Sequence, residues 1–193
     1  MTLKRIGGRY ALKVMVAPEV IAGGERVSSS RIRRLLQQGE VEEGARLLDR
    51  GYFIDGTVVK GDARGRKLGF PTANVLPLQE VIVPYGVYAG GIQIRERIYP
   101  AAIHFGPLPT VNKQAKSLEV HALGYSGDCY GETVRIWFLR RVREVKRFPD
   151  ESALSRQILK DIEIVKNAFS EALCIPLRKQ GKGDLETLDV TAL

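Results

Sequence analysis

Between Gly56 and Asn74 the chain reads GTVVKGDARGRKLGFPTAN, and this stretch holds the residues best suited to chemistry. Gly61, Gly65 and Gly69 punctuate a loop in which Arg64, Arg66 and Lys67 are interleaved. Glycines let backbone N–H groups come close to an anion, and loops of this kind form phosphate-binding concavities. The pattern is neither the G-x-x-x-x-G-K-[ST] loop nor a dinucleotide fingerprint inside a βαβ unit. A plain glycine-rich hairpin turn with solvated charges competes as a reading of the loop taken alone. Phe70-Pro71-Thr72-Ala73-Asn74 follows directly. Pro71 stiffens the backbone, and Thr72 and Asn74, two apart on an extended chain, face the same side. A hydroxyl and an amide carbonyl are hard oxygen ligands of the kind Mg2+ accepts while it keeps waters and bridges phosphates.

A second chemical group lies at 117–125, SLEVHALGY. Alternation there places Leu118 and Val120 on one face and Glu119 with His121 on the other. A carboxylate facing a cleft can take a proton from a nucleophile. The plain alternative is an exposed strand residue. His121 is read as a hydrogen-bonded structural residue. Thr72, Asn74 and Glu119 are expected around one common cavity. Cys129 and Cys174 are the only cysteines, and their surroundings suit neither a disulfide framework nor a zinc site.

These groups need elements to hold them. Residues 52–60, 86–94, 98–105, 117–125 and 133–142 are rich in Val, Ile, Tyr and Phe, with Gly and Pro in the gaps. Successive strands without intervening helices predict an antiparallel sheet or closed barrel. Ahead of them, YALKVMVA at 10–17 reads as a strand and 18–26 as a loop. Ser28 caps a helix with Ile32, Leu35 and Leu36 on its apolar side, Gly39 ends it, and Val41, Ala45 and Leu48 mark a second short helix. At the far end Asp150 caps a long helix whose stripe of Leu154, Ile158, Ile162, Val165, Phe169 and Leu173 packs on the barrel. A polar tail occupies 176–193.

Taken together, G-x-V-x-x-G-x-x-x-G-R-x-x-G-F-P-T-A-N resembles the signature of riboflavin kinases, both the stand-alone type and the C-terminal module of bacterial bifunctional riboflavin kinase/FAD synthetases. GVYA at 86–89, the Gly106…Pro109-Thr110 segment, LEVH at 118–121 and GDCYG at 127–131 follow in the same order. The resemblance implies a mainly β fold, a six-stranded antiparallel, Greek-key-like barrel with a helix at one end. It implies transfer of the ATP γ-phosphate to the ribityl 5'-hydroxyl of riboflavin, with Mg2+. Thr72 and Asn74 then match the residues that hold the metal and the ATP phosphates. Gly61, Arg64, Gly65, Arg66, Gly69, Phe70 and Pro71 belong to the nucleotide loop. Glu119 matches the general base, and Arg143 and Tyr130 match flavin-side contacts. His104, where the family usually has Asn, and Val145, where it often has an acidic residue, depart from the pattern.

SSSRIR at 28–33 resembles the segment that closes the adenylyltransferase domain of the bifunctional enzymes, yet the H-x-G-H motif is missing, and His104 and His121 are the only histidines. Residues 1–50 are therefore read as a remnant of that domain and 51–175 as the kinase barrel. No FAD synthetase activity is expected, Ser28, Arg31 and Arg33 are structural, and a separate adenylyltransferase partner is left open.

The net charge of +8 with a pI near 9.6 attracts polyanions, which include ATP as well as nucleic acid. Nucleic acid is not the expected partner, because the few aromatics, 7% of the chain, fall mostly at core strand positions. A non-catalytic flavin- or nucleotide-binding regulatory protein is the competing function. The start MTLKRIGGRY has no apolar signal core, and no apolar run is long enough to span a bilayer, so a cytoplasmic protein without membrane contact is expected.

Overall fold

The computed structural model describes residues 3–15, 18–61, 64–107 and 116–172. Six strands form the body: β3 (Tyr52–Val59), β4 (Ala73–Pro77), β5 (Gly86–Ile94), β6 (Arg97–Pro107), β7 (Lys116–Ala122) and β8 (Thr133–Arg143). They close into a barrel in the order β3-β4-β7-β6-β5-β8, every pairing antiparallel. Closure leaves the barrel no free edge. Five strands stand where sequence patterning expects them. β4 does not show in the pattern, because it is short and its apolar and polar positions overlap the FPTAN motif.

Alternation decides what fills the barrel. Ile54 and Val58 from β3, Val75 from β4, Tyr88 and Ile92 from β5, Ile103 and Phe105 from β6, Leu118 and Val120 from β7, and Ile136 and Phe138 from β8 share one core. Their strand neighbours point outward. β5 is buried along nearly its whole length because a helix covers its outer face. That helix, α5 (Glu151–Ala172), packs on β5, β6 and β8. Val165 and Ala168 join Ala89 in a second cluster, and Phe169 lies against Gly91. Asp150 caps α5, accepting from the Ala153 N–H at 2.7 Å. Leu173, the last residue of the expected stripe, and the polar tail lie outside the described residues.

The front of the chain differs from its pattern. α1 (Leu3–Arg9) precedes a turn, and residues 10–15 form no strand. An apolar run becomes a strand only when a neighbour completes its ladder, and here Tyr10, Leu12 and Met15 are exposed. The loop at 18–26 contains a two-residue pairing, β1 (Ile21–Ala22) with β2 (Glu25–Arg26). The helical hairpin is as expected. Ser28 accepts from the Arg31 N–H to cap α2 (Ser29–Gln38), Gly39 caps its C-terminus, and α3 (Val41–Leu48) packs on α2 and β8. Arg31 donates to the Ala22 and Glu25 carbonyls at 2.9 and 3.1 Å, a structural use of that guanidinium.

Candidate active site

The glycine loop leaves β3 at Val59 and returns as β4 at Ala73. Within it Arg64–Lys67 makes one helical turn, α4, which sequence patterning left as loop. Gly69 closes the turn at φ +84°, and the Phe70 N–H reaches back to the Gly65 carbonyl at 2.9 Å. Two glycines press this loop onto the proposed ligand residues. A Cβ at Gly61 would overlap the Asn74 carboxamide. A Cβ at Gly65 would overlap the Phe70 carbonyl and come within 3.2 Å of Thr72 Oγ1. Larger residues would therefore push the loop away from Thr72 and Asn74. The side chain of Arg64 and residues 62–63 lie outside the described set.

The FPT segment is pinned from β7. His121 Nδ1 donates to the Pro71 carbonyl at 2.7 Å, which sets the tautomer, and its ring meets Phe70 edge-on at 5.9 Å. His121 is thus structural, as expected. Arg66, Pro71 and Thr72 form one wall of a cavity of about 530 Å³ at the mouth of the barrel, and Tyr125 to Tyr130 form the opposite wall. That second wall is tied down: the Gly131 N–H donates to the Val58 carbonyl at 2.9 Å, and Tyr130 N–H to Asp128 Oδ1 at 2.9 Å.

Asn74 and Glu119 do not line this cavity. Ala73 and Val75 pack toward the core, so Asn74 points out; Leu118 and Val120 do the same for Glu119. In place of the expected single cavity, Thr72 lines the barrel-mouth cavity, while Asn74 and Glu119 stand side by side on the outer wall, as a shelf. The reason is packing: apolar side chains fill the barrel interior and leave no room there for a carboxylate.

Register orders the shelf. Asn74 stands directly opposite Glu119, Glu119 opposite His104, His104 opposite Val87, and Val87 opposite Arg143. Directly opposed residues share a face, with neighbouring Cβ atoms roughly 5 Å apart. One outward row thus runs Asn74, Glu119, His104, Val87, Arg143. Ser117 donates to Glu119 Oε1 at 3.1 Å, which holds the carboxylate on the row. Burial holds the His104 imidazole below the usual histidine pKa; Glu119 pulls it up and Arg143 pushes it further down. Arg143 grips Asp161 of α5 with Nε and Nη2, at 3.0 and 2.8 Å to Oδ2, and Gln157 donates to Oδ1 of the same carboxylate at 2.8 Å.

Arg143 therefore sits at the far end of the row, while Tyr130 lines the Thr72 cavity. His104 is the residue that residue-type reasoning passed over. Its only signal in the sequence is the departure from Asn, and its place beside Glu119 depends on the β6–β7 register. The cationic run at Arg140 to Arg143 is largely committed. Arg140 bridges Glu42 and Glu171 at 2.8 and 2.9 Å, and Arg143 holds Asp161. Among the described residues, no group of three or more His, Cys, Asp or Glu could hold a metal ion. No helix among them is long and apolar enough to cross a membrane.

A closed antiparallel barrel with a glycine loop at its mouth and a hydroxyl–amide–carboxylate shelf on its wall belongs to a defined class. Residues 48–169 match the family model for riboflavin kinase (Flavokinase), and the chain belongs to that family. It is 37% identical over 150 residues to the bifunctional riboflavin kinase/FMN adenylyltransferase of Bacillus subtilis, covering 76% of this chain and 48% of that protein. To the Escherichia coli K12 protein of the same name it is 34% identical over 163 residues, covering 83% and 52% respectively. The chain thus spans about half the length of the curated relatives it matches. A solved structure named Macrolide-efflux Protein from Streptococcus pneumoniae superposes with a TM-score of 0.77 at 32% identity, covering 86% of this chain and 55% of that one.

Proposed function

We propose that this chain phosphorylates riboflavin: ATP and riboflavin give ADP and FMN. The observation that carries the reading is the β4–β7 register, which sets Asn74 opposite Glu119 while Gly61 and Gly65 press the loop onto Asn74 and Thr72. The cavity walled by Arg66, Pro71, Thr72 and Tyr130 suits the nucleotide, with Tyr130 serving that side more than the flavin. Gly61, Gly65, Gly69 and Phe70 shape the loop above it, and Arg64 belongs to the same loop.

Thr72 and Asn74 would hold Mg2+ as neutral oxygen donors. Two such donors cannot bind the ion alone, and this fits a metal whose remaining ligands are phosphates and water. When bound, the metal neutralises charge on the transferred phosphoryl group. Glu119 takes the proton of the riboflavin 5'-hydroxyl. The hydroxyl oxygen forms its bond to the γ-phosphorus as the bridging bond to ADP breaks, the electron pair leaves with ADP, and Glu119 later returns its proton to water. Arg143, at the end of the row, would face the flavin side, oriented by Asp161.

Residues 1–50 are inferred to be of adenylyltransferase-domain type. Ser28 caps a helix and Arg31 ties the β1–β2 turn, so both have structural uses. These 193 residues are inferred to make FMN and not FAD.

One assay tests both statements. Chromatography of a reaction holding riboflavin, Mg2+ and ATP should show FMN and ADP rising together, without FAD. Flavin binding with no ADP release would favour a non-catalytic regulatory binder. Enzyme-dependent FAD would overturn the second statement.

A further inference from the structure

Glu119 and Arg143 have opposite charges and share one outward row, yet they do not pair; His104 and Val87 stand between them. His104 is directly opposite Glu119 and lies over Gly106, where a Cβ would come within 3.2 Å of its ring and 3.3 Å of Val145. The ring is thus confined on a half-buried patch of barrel wall. Among the described residues, charged groups reach it from few directions. β7 supplies Glu119, with Ser117 hydrogen-bonded to that carboxylate. β8 supplies Arg143, and α5 supplies Asp161, already neutralised by Arg143. β5 contributes only Val87 at this level. Beyond β8, Glu144 offers its carbonyl to Arg143, and Lys146 is engaged with Gln157.

We propose that His104 is a positioning residue: as a neutral imidazole it keeps the Glu119 carboxylate unpaired and available, and as an imidazolium it draws that carboxylate into an ion pair and stops turnover. The inference rests on the kinase reading of Glu119 and adds to it an acid-side control that belongs to this chain. The neutral form prevails near neutrality, because burial and Arg143 both oppose a second cation there. On acidification the proton arrives next to Glu119. The carboxylate then faces a cation roughly 5 Å away between Cβ atoms, close enough for the side chains to meet. A carboxylate held by a cation is a weaker proton acceptor.

Two measurements on the whole chain test this. The sequence has two histidines, so imidazole signals in an NMR titration are assigned by their loss in His104→Gln. His104 should titrate below the usual value of about 6.5, and Glu119→Gln should lower its midpoint by a further half unit or so. An unmoved midpoint overturns the coupling. The second measurement is FMN formation against pH, each profile scaled to its own maximum. The His104→Gln acid limb should shift down, leaving the variant on that limb with several-fold more of its maximal rate than the parent at the same pH. Superimposed profiles overturn the control. His104→Asn serves if the Gln variant does not fold. If the parent makes no FMN at any pH, the kinase reading itself fails and the control falls with it; the titration still separates that outcome from a missing His104–Glu119 coupling.

Discussion

Glu119 and Asn74 matter for where their side chains end, on the outside of a barrel whose inside is closed by apolar packing. In the proposed reaction Glu119→Gln keeps the shape and loses the base, so kcat should fall by about a hundredfold or more while the KM for ATP changes little. Steady-state FMN formation measures this, and parental turnover in the variant would remove Glu119 from the role. Gly61 tests the other end of the row. Its missing Cβ leaves room for the Asn74 carboxamide, so Gly61→Ala should weaken Mg-ATP about as much as Asn74→Ala does. Tenfold or so is expected for each, from one lost or displaced polar contact. Calorimetry with Mg-ATP reads it, and tight binding by Gly61→Ala would show that the loop moves freely away from Asn74.

The elements behind the row determine how firmly it is held. α5 covers the outer face of β5 with Val165, Ala168 and Phe169, and it reaches the row through Asp161. Asp161 is 3% exposed, so its charge depends on Arg143. Removing one partner of such a pair leaves the other uncompensated, and Asp161→Ala should destabilise the fold by about 3 kcal/mol. Phe169→Ala removes a ring packed on Gly91 and should cost about 3 kcal/mol or more. Denaturant unfolding measures both. The variants differ in a second readout: Asp161→Ala also frees Arg143, so riboflavin affinity should change there and not in Phe169→Ala. Equal effects on affinity would make Arg143 a purely structural residue.

Across the molecule, buried titrating groups bound the range of pH stability. His104 has a lowered pKa in the fold. The unfolded chain then binds the proton first, so stability is full above about pH 6.5 and falls as pH drops from there toward the folded value. Cys129, Tyr52 and Tyr88 are pushed up, chiefly by burial. For these the unfolded form ionises first, and stability falls as pH rises through about 8.5 for the thiol and 10 for the phenols. The melting temperature should therefore plateau between about pH 6.5 and 8.5 and decline on both sides. His104→Gln should flatten the acid side, and an unchanged acid slope in that variant would assign it to the carboxylates.

Local chemistry is what the sequence by itself determined. Ser28 and Asp150 as caps, the strands at 52–59 and 86–94, the helical hairpin and the FPTAN motif all depend on neighbours within a few residues, where propensity and spacing act directly. Facing and adjacency were decided by tertiary structure alone. Residues 10–15 of the strand expected at 10–17 pair with no strand among the described residues, β4 formed because β3 and β7 were there to pair with it, and barrel closure turned Glu119 outward. His104 came to lie between Glu119 and Arg143 through the pairing of four strands. Long-range register is set by how the whole core packs, and no local stretch of residues carries that information.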